Sequence, residues 1–211
     1  MREDPKPYHH GDLRAALLEA ALNELTDKGV EGLTLRGIAR RAGVSHAAPA
    51  NHFPSLAALL SELAAQAFER LTAAIRSECA GETPGTAAHL IACAQGYVAF
   101  ARANPALFRL MFRHERLDPT HARAVKAAGE AFALPVAAVA AMTGNPDPMD
   151  SPVPQAAVIA LWSLTHGFAE LLVQGQFDHL AEGDFDAWVH ATLHRMIRRS
   201  FPEADEKIAD V

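Results

Sequence analysis

Apolar residues return every three or four positions along most of this chain, and no segment alternates with the two-residue period of a strand. The pattern predicts an all-α protein. A first helix runs from Asp12, as N-cap, to Asp27; Leu13, Leu17, Ala21 and Leu25 form its stripe, and Gly29 stops it. Residues 34–53, TLRGIARRAGVSHAAPANHF, read as two short helices joined by a tight turn. Thr34 is the first N-cap, and Leu35, Ile38, Ala39 and Ala42 keep helical spacing. Gly43 ends that helix, and Ser45 is expected to cap a second one reaching Phe53. Pro54 and Ser55 then open a long helix. Its stripe is Leu56, Leu59, Leu60, Leu63, Ala64, Ala67, Phe68, Leu71 and Ile75, and GETPG at 81–85 breaks it.

The second half continues in the same period. Leu90, Ile91, Ala94, Tyr97, Val98 and Ala101 mark a helix that Asn104-Pro105 ends, with Asn104 capping the next and Pro105 at its first position. That short helix holds Leu107, Phe108, Leu110, Met111 and Phe112. Another spans roughly Pro119 to Met142, with a kink expected at Pro135. The proline-rich run 144–154 reads as a loop. The helix from about Pro152 to Gln174 is apolar nearly all round and should be buried on most sides. Asp184 caps a last helix, striped by Phe185, Trp188, Val189, Leu193, Met196 and Ile197, and an acidic tail after Pro202 is expected to be disordered.

Helix, glycine turn and helix make the helix-turn-helix pattern, whose second helix can enter a DNA major groove. Between Arg36 and Phe53 stand three arginines (Arg36, Arg40, Arg41), two histidines and no acid. The alternative is an ordinary helical hairpin with an alanine-rich surface. If Phe53 faces the core, His46, Ala47, Ala48 and Asn51 face the groove. Asn can read adenine in a bidentate way, and alanine methyls can pack on thymine methyls. Pro49 has no N–H, so it must lie in the first turn of its helix or kink it. Candidate DNA contacts are Thr34, Arg36, Arg40, Arg41, Ser45, His46, Ala47, Ala48, Asn51 and His52.

Composition narrows the function classes. The chain has 211 residues, 50% of them apolar, enough for a sizeable core. A net charge of −6 argues against coating nucleic acid. It leaves room for a local basic face, since phosphate contacts act within about 10 Å. Two cysteines, Cys79 and Cys93, in predicted helices suit a reduced, cytoplasmic chain. No run approaches the ~18 uninterrupted apolar residues of a membrane span, and the N-terminus lacks a signal-like segment. No Ser-His-Asp signature, glycine-rich phosphate loop or CxxC points to an enzyme, and no cofactor is indicated. His190 and His194 have the spacing of a zinc pair but no third ligand near in sequence, so no metal is assigned.

His166 and Glu170 lie one helical turn apart in an otherwise apolar helix. Buried, they need partners: each other, a ligand, or a second subunit. Phe100, Phe108, Met111, Phe112, Phe132 and Trp162 either wall a pocket with them or form plain core. A pocket of this composition would take a small hydrophobic molecule with one polar end.

From about His10 to Leu71 the chain resembles the TetR-type transcriptional regulators. The features are a first helix ending in DKGVEGLTL, then IARRAGVS, then the HF-PS-L stretch and a long apolar helix. YHHGDLR and GVSHAAP match one subset, and WSLTHGFAELLVQG at 162–175 resembles its C-terminal domain, named for its Trp, His and Gly. The resemblance implies a homodimer with one helix-turn-helix per subunit, a C-terminal domain carrying dimer interface and inducer pocket, and repression. It divides the chain into a DNA-binding module (1–71), a ligand-binding and dimerisation domain (72–200) and a tail (201–211). The boundary falls inside the long helix, which can transmit movement. Two positions depart from the family, which usually has Tyr where Ala50 stands and Lys where Leu56 stands, both phosphate contacts. Their loss supports a rival reading: a helical small-molecule-binding protein with weak or lost DNA binding.

Overall fold

The structure, a computed structural model, describes residues 13–180 and 183–206. The Asp12 cap and the end of the tail lie outside the described residues. Among the described residues there is no strand, as the periodicity requires. Helix α1 (Leu13–Lys28) buries Leu17, Leu18, Ala21 and Leu25. Helix α2 (Leu35–Arg41) begins where Thr34 Oγ1 accepts the Gly37 amide at 3.0 Å. It ends at Gly43, whose φ of +69° only glycine adopts freely. The amides of Gly43 and Val44 return to the carbonyls of Arg40 and Ala39 at 3.2 and 3.0 Å, closing a Schellman turn.

The next segment differs from expectation. No α-helix starts at Ser45; the chain makes a turn and then a single 3-10 turn, Ala48–Asn51. Proline is the cause. An α-helix capped by Ser45 would need the residue 49 amide on the Ser45 carbonyl, and Pro49 has none. Ala48 donates to that carbonyl instead, at 3.0 Å, and the residue before a proline resists α geometry anyway. Phe53 still enters the core, at 3% exposure.

Helix α3 (Leu56–Cys79) is capped by Ser55, whose Oγ accepts the Ala58 amide at 3.1 Å. It is the spine of the molecule, packed by α4 (Ala87–Ala103), α5 (Pro105–Met111) and α6 (Ala122–Thr143), and touched by α1. Gly96 sets the α3–α4 approach: a Cβ there would stand 2.8 Å from Ile75 Cα. Asn104 does not cap α5 with its side chain. It donates back to the Phe100 carbonyl at 3.0 Å and accepts from Arg70 at 2.6 Å. α6 runs unbroken through Pro135. Prolines occupy the first turn of α7 (Pro152–Val173), where a missing amide is harmless, so the preceding loop is shorter than expected. Asp184 caps α8 (Phe185–Ser200), accepting the Asp186 and Ala187 amides at 3.0 and 3.1 Å.

Two further corrections follow. The tail is not disordered where it is described: Glu203–Glu206 form a short α9, and Phe201 and Ala204 are buried. Nor is α7 covered on most sides within one chain. Val158, Leu161, Thr165, Phe168, Ala169 and Leu172 are buried, yet Val153 is 83%, Ile159 43% and Leu171 40% exposed. An apolar helix folds this way when its own chain supplies only half the cover. Helices α6 and α7 are long and apolar enough to cross a membrane, but here they pack on each other and on α3 and α4.

Two carboxylates, the buried Glu62 and the exposed Glu31, tie the helices together. Glu62 of α3, 3% exposed, pairs with Arg14 of α1 at 3.0 Å, with Arg123 of α6, and with His121 at 3.5 Å. Glu31, after α1, holds Arg113 and, at 2.5 Å, Arg116 from the segment after α5.

Candidate functional site

The turn between α2 and α3 forms an exposed basic surface. Thr34, Arg36, Arg40, Ser45, His46, Ala47, Asn51 and His52 are exposed there, and Ala48 is half-buried. Pro49 and Phe53 point inward, and the Arg14 guanidinium covers the Phe53 ring at 5.2 Å. Packing from below thus holds the loop while its small polar residues stay outside. Among the described residues, Arg36 and Arg40 form no ion pair with a carboxylate.

Arg41 is placed differently from its neighbours. Its Nε donates to Glu24 at 2.8 Å and its Nη2 to Asp27. Hydrogen bonding to Asp27 raises the guanidinium above its ordinary range. Hydrogen bonding to Lys28, and then to Arg41, holds the Glu24 carboxyl below its own. Arg41 therefore fixes α2 against α1 rather than standing free for a phosphate. Of the two departures from the family pattern, Ala50 is exposed and Leu56 is half-buried against the core.

Behind this module, α3, α4, α6 and α7 enclose an apolar cavity. Its volume is about 80 Å³, and it opens in part to solvent. Phe68, Tyr97, Phe112, Phe132 and Trp162 are its aromatic walls, with Thr165 among them. Of the sequence-predicted pocket residues, Phe112, Phe132 and Trp162 line it. Phe100, Phe108 and Met111 do not; they are core, at 5%, 0% and 0% exposure.

His166 and Glu170 do not line this cavity; His166 stands beside it, among Phe108, Phe112, Tyr97 and Trp162, with ring centroids 4.4–6.4 Å from its own. Its partner is not Glu170. The Tyr97 hydroxyl and His166 Nδ1 are hydrogen-bonded at 2.8 Å, and Glu170 accepts from Gln174 at 2.7 Å. Burial pushes the His166 imidazole down and the Tyr97 phenol up, so both stay neutral near pH 7. Sequence reasoning missed Tyr97, which read as one more member of an apolar stripe. Only its hydroxyl marked it.

Phe112 also borders a second, more polar cleft, together with His166 and Glu170. Its other wall is Leu25, Thr26, Gly29 and Val30, from the end of α1, with Arg109 and Arg113 from α5 and just after it. Arg109 also donates to the Val173 carbonyl at 2.9 Å, at the end of α7. Phe112 and the Tyr97–His166 pair thus stand between the apolar cavity and the base of the helix-turn-helix module.

Comparison with known proteins agrees with this geometry. Residues 17–63 match the family described as bacterial regulatory proteins, tetR family, and residues 90–196 match the tetracyclin repressor-like C-terminal domain. A solved protein of unknown function from Rhodococcus sp. RHA1 is 36% identical, covering 92% of this chain and 98% of its own, with a TM-score of 0.71. A TetR family transcription regulator from Marinobacter aquaeolei VT8 shares the fold, with a TM-score of 0.64, 18% identity and coverage of 90% and 95%. The nucleoid occlusion factor SlmA of Pasteurella multocida (strain Pm70) is 34% identical over 93 residues, 42% of this chain. The chain spans only 44% of that curated relative's length. With a family model matched in each half, the chain belongs to the TetR family of transcriptional regulators.

Proposed function

We propose that the protein is a cytoplasmic, homodimeric repressor that binds a palindromic DNA operator and releases it when a small hydrophobic effector enters the C-terminal domain. The observation that carries the DNA reading is the exposed face from Arg36 to His52, free of acids, on which Arg36 and Arg40 have no carboxylate partner among the described residues. Its DNA-binding module would end inside α3. Arg36 and Arg40 would hold phosphates, and His46, Ala47, Ala48 and Asn51 would meet base edges. Thr34, Ser45 and His52 would complete the backbone contacts.

Mobility-shift titrations separate these roles. Arg40→Ala should weaken binding to every sequence alike and reduce the salt slope by about 1. Asn51→Ala should relax discrimination at one base position by about 1–3 kcal/mol. Arg41→Ala should lower stability and leave the salt slope unchanged. A salt slope equally insensitive to Arg36→Ala and Arg40→Ala would favour the reading in which Ala50 and Leu56 mark lost DNA binding.

The effector would lie in the apolar cavity, its body against Phe112, Phe132 and Trp162 and its polar end at Tyr97. His166 acts behind Tyr97 as a positioning residue. An effector that displaces Phe112 would press on the cleft under α1. The Arg113 and Arg116 pairs with Glu31 would carry that movement to α2. A ligand favouring the splayed state shifts the population off DNA, and DNA lowers ligand affinity by the same factor. Trp162 fluorescence gives a readout, with a medium-chain alcohol and the alkane of equal length as probes. Tyr97→Phe should weaken the alcohol by about three- to tenfold, the value of one hydrogen bond, and leave the alkane unchanged. Equal loss for both probes would make Tyr97 a packing residue.

A further inference from the structure

We propose that Cys79, His89 and Cys93 form a binding site for one thiophilic d10 cation, Zn2+ or Cu+, that joins the end of α3 to the start of α4. The three side chains are not adjacent in sequence, but their ligand atoms all lie within 4.8 Å of one another. His89 and Cys93 share one face of α4, four residues apart, and Cys93 Sγ stands 3.7 Å from His89 Nε2. A sulfur at about 2.3 Å and a nitrogen at about 2.1 Å from one four-coordinate ion are themselves roughly 3.6 Å apart. That pair therefore already has the spacing of two ligands on a common metal. Cys79 is the last residue of α3, and the close approach at Gly96 brings it to them.

The chemistry of the set selects the ion. Two thiols and an imidazole suit soft or borderline cations and offer nothing to Mg2+ or Ca2+. Both cysteines are free and half-buried, and His89 is half-buried, so an ion can reach all three. Among the described residues, His89 Nδ1 is buried without a hydrogen-bond partner. Three protein ligands leave a fourth position for water or an external thiol. The site abuts the effector cavity, because Cys93 lines both. It also fastens the helix on which the DNA-binding module rides.

The test needs neither DNA nor an effector. The full chain, reduced and stripped by chelator, is titrated with Co2+ as the probe and then with competing Zn2+. One ion per chain is expected, with the strong d–d bands of a tetrahedral site and a sulfur-to-cobalt charge-transfer band, both bleached by Zn2+. Cys79→Ser and Cys93→Ser should each remove the charge-transfer band or halve it, and lower affinity more than about a hundredfold, beyond the loss of an outer-shell partner. His89→Gln should shift the d–d bands and keep the charge-transfer band. Circular dichroism of the metal-free variants checks that they fold. A cobalt spectrum without sulfur ligation, or one that survives both serine variants, overturns the proposal. So does a reduced chain that has no cobalt affinity and closes a Cys79–Cys93 disulfide in air.

Discussion

Phe108→Ala should destabilise the subunit by about 3–5 kcal/mol, the usual range for deleting a fully buried phenylalanine. Phe108 is 0% exposed, and its ring makes edge contacts with Tyr97 and Phe112, at 5.8 and 5.5 Å, besides touching His166. Because it lines neither cavity, the lost volume leaves a void that no effector contact explains. Urea denaturation should show a lower midpoint with an unchanged slope. Phe132→Ala should cost less, because Phe132 is half-buried in the cavity wall, and its main effect should be on effector affinity. If Phe108→Ala left stability intact and abolished probe binding, the division between core and cavity drawn above would be wrong.

Leu171→Glu should have the opposite signature: a subunit that folds and a dimer that does not form. Leu171 is already 40% exposed in the single chain, so a glutamate there meets water while the subunit is alone. In the proposed dimer it would be buried against the partner's apolar α7 without a counter-charge, which costs about 3–5 kcal/mol. The dimer dissociation constant should then rise more than about a hundredfold. The exposed side of α7 carries Ala156, Ala160 and Ser163 beside Ile159 and Leu171, small residues that let a second helix come close. With α8 it would complete a four-helix interface across a twofold axis. Sedimentation velocity on wild type and variant decides the matter. A wild-type chain that runs as a folded monomer at micromolar concentration contradicts it.

What was legible in the sequence is what depends on neighbours along the chain. Helical period placed α1 to α8, and the caps at Thr34, Ser55 and Asp184 do what their side chains predict, because a cap needs only an amide two or three residues away. Local chemistry was misjudged where two local rules competed. Ser45 signalled a cap, and Pro49 removed the amide the helix needed. Asn104 signalled a cap as well, but found the Phe100 carbonyl and Arg70.

The candidate sites were less legible because they are assembled from distant parts of the chain. Tyr97 and His166 stand 69 positions apart, and nothing in either stripe announces the pair. Arg41 looks like Arg36 and Arg40 until Glu24 and Asp27, on another helix, are placed beside it. Aromatic residues at helical spacing do not say which of them end in solid core, as Phe108 does, and which face a void, as Phe132 does. The thiol and imidazole cluster has the same character. Cys79 and Cys93 lie on helices separated by a turn, and only the α3–α4 packing brings them together.

The central claim is that this surface reads a twofold-symmetric DNA site. It is tested most directly by mixing the purified full chain with sheared genomic DNA and sequencing the bound fragments. The account predicts enrichment of one palindrome, with half-sites about one helical turn or a multiple of it apart, and loss of that enrichment with Arg36→Ala and Arg40→Ala together. Bound fragments with no common palindrome, or an enrichment unchanged by the two arginine replacements, would contradict it.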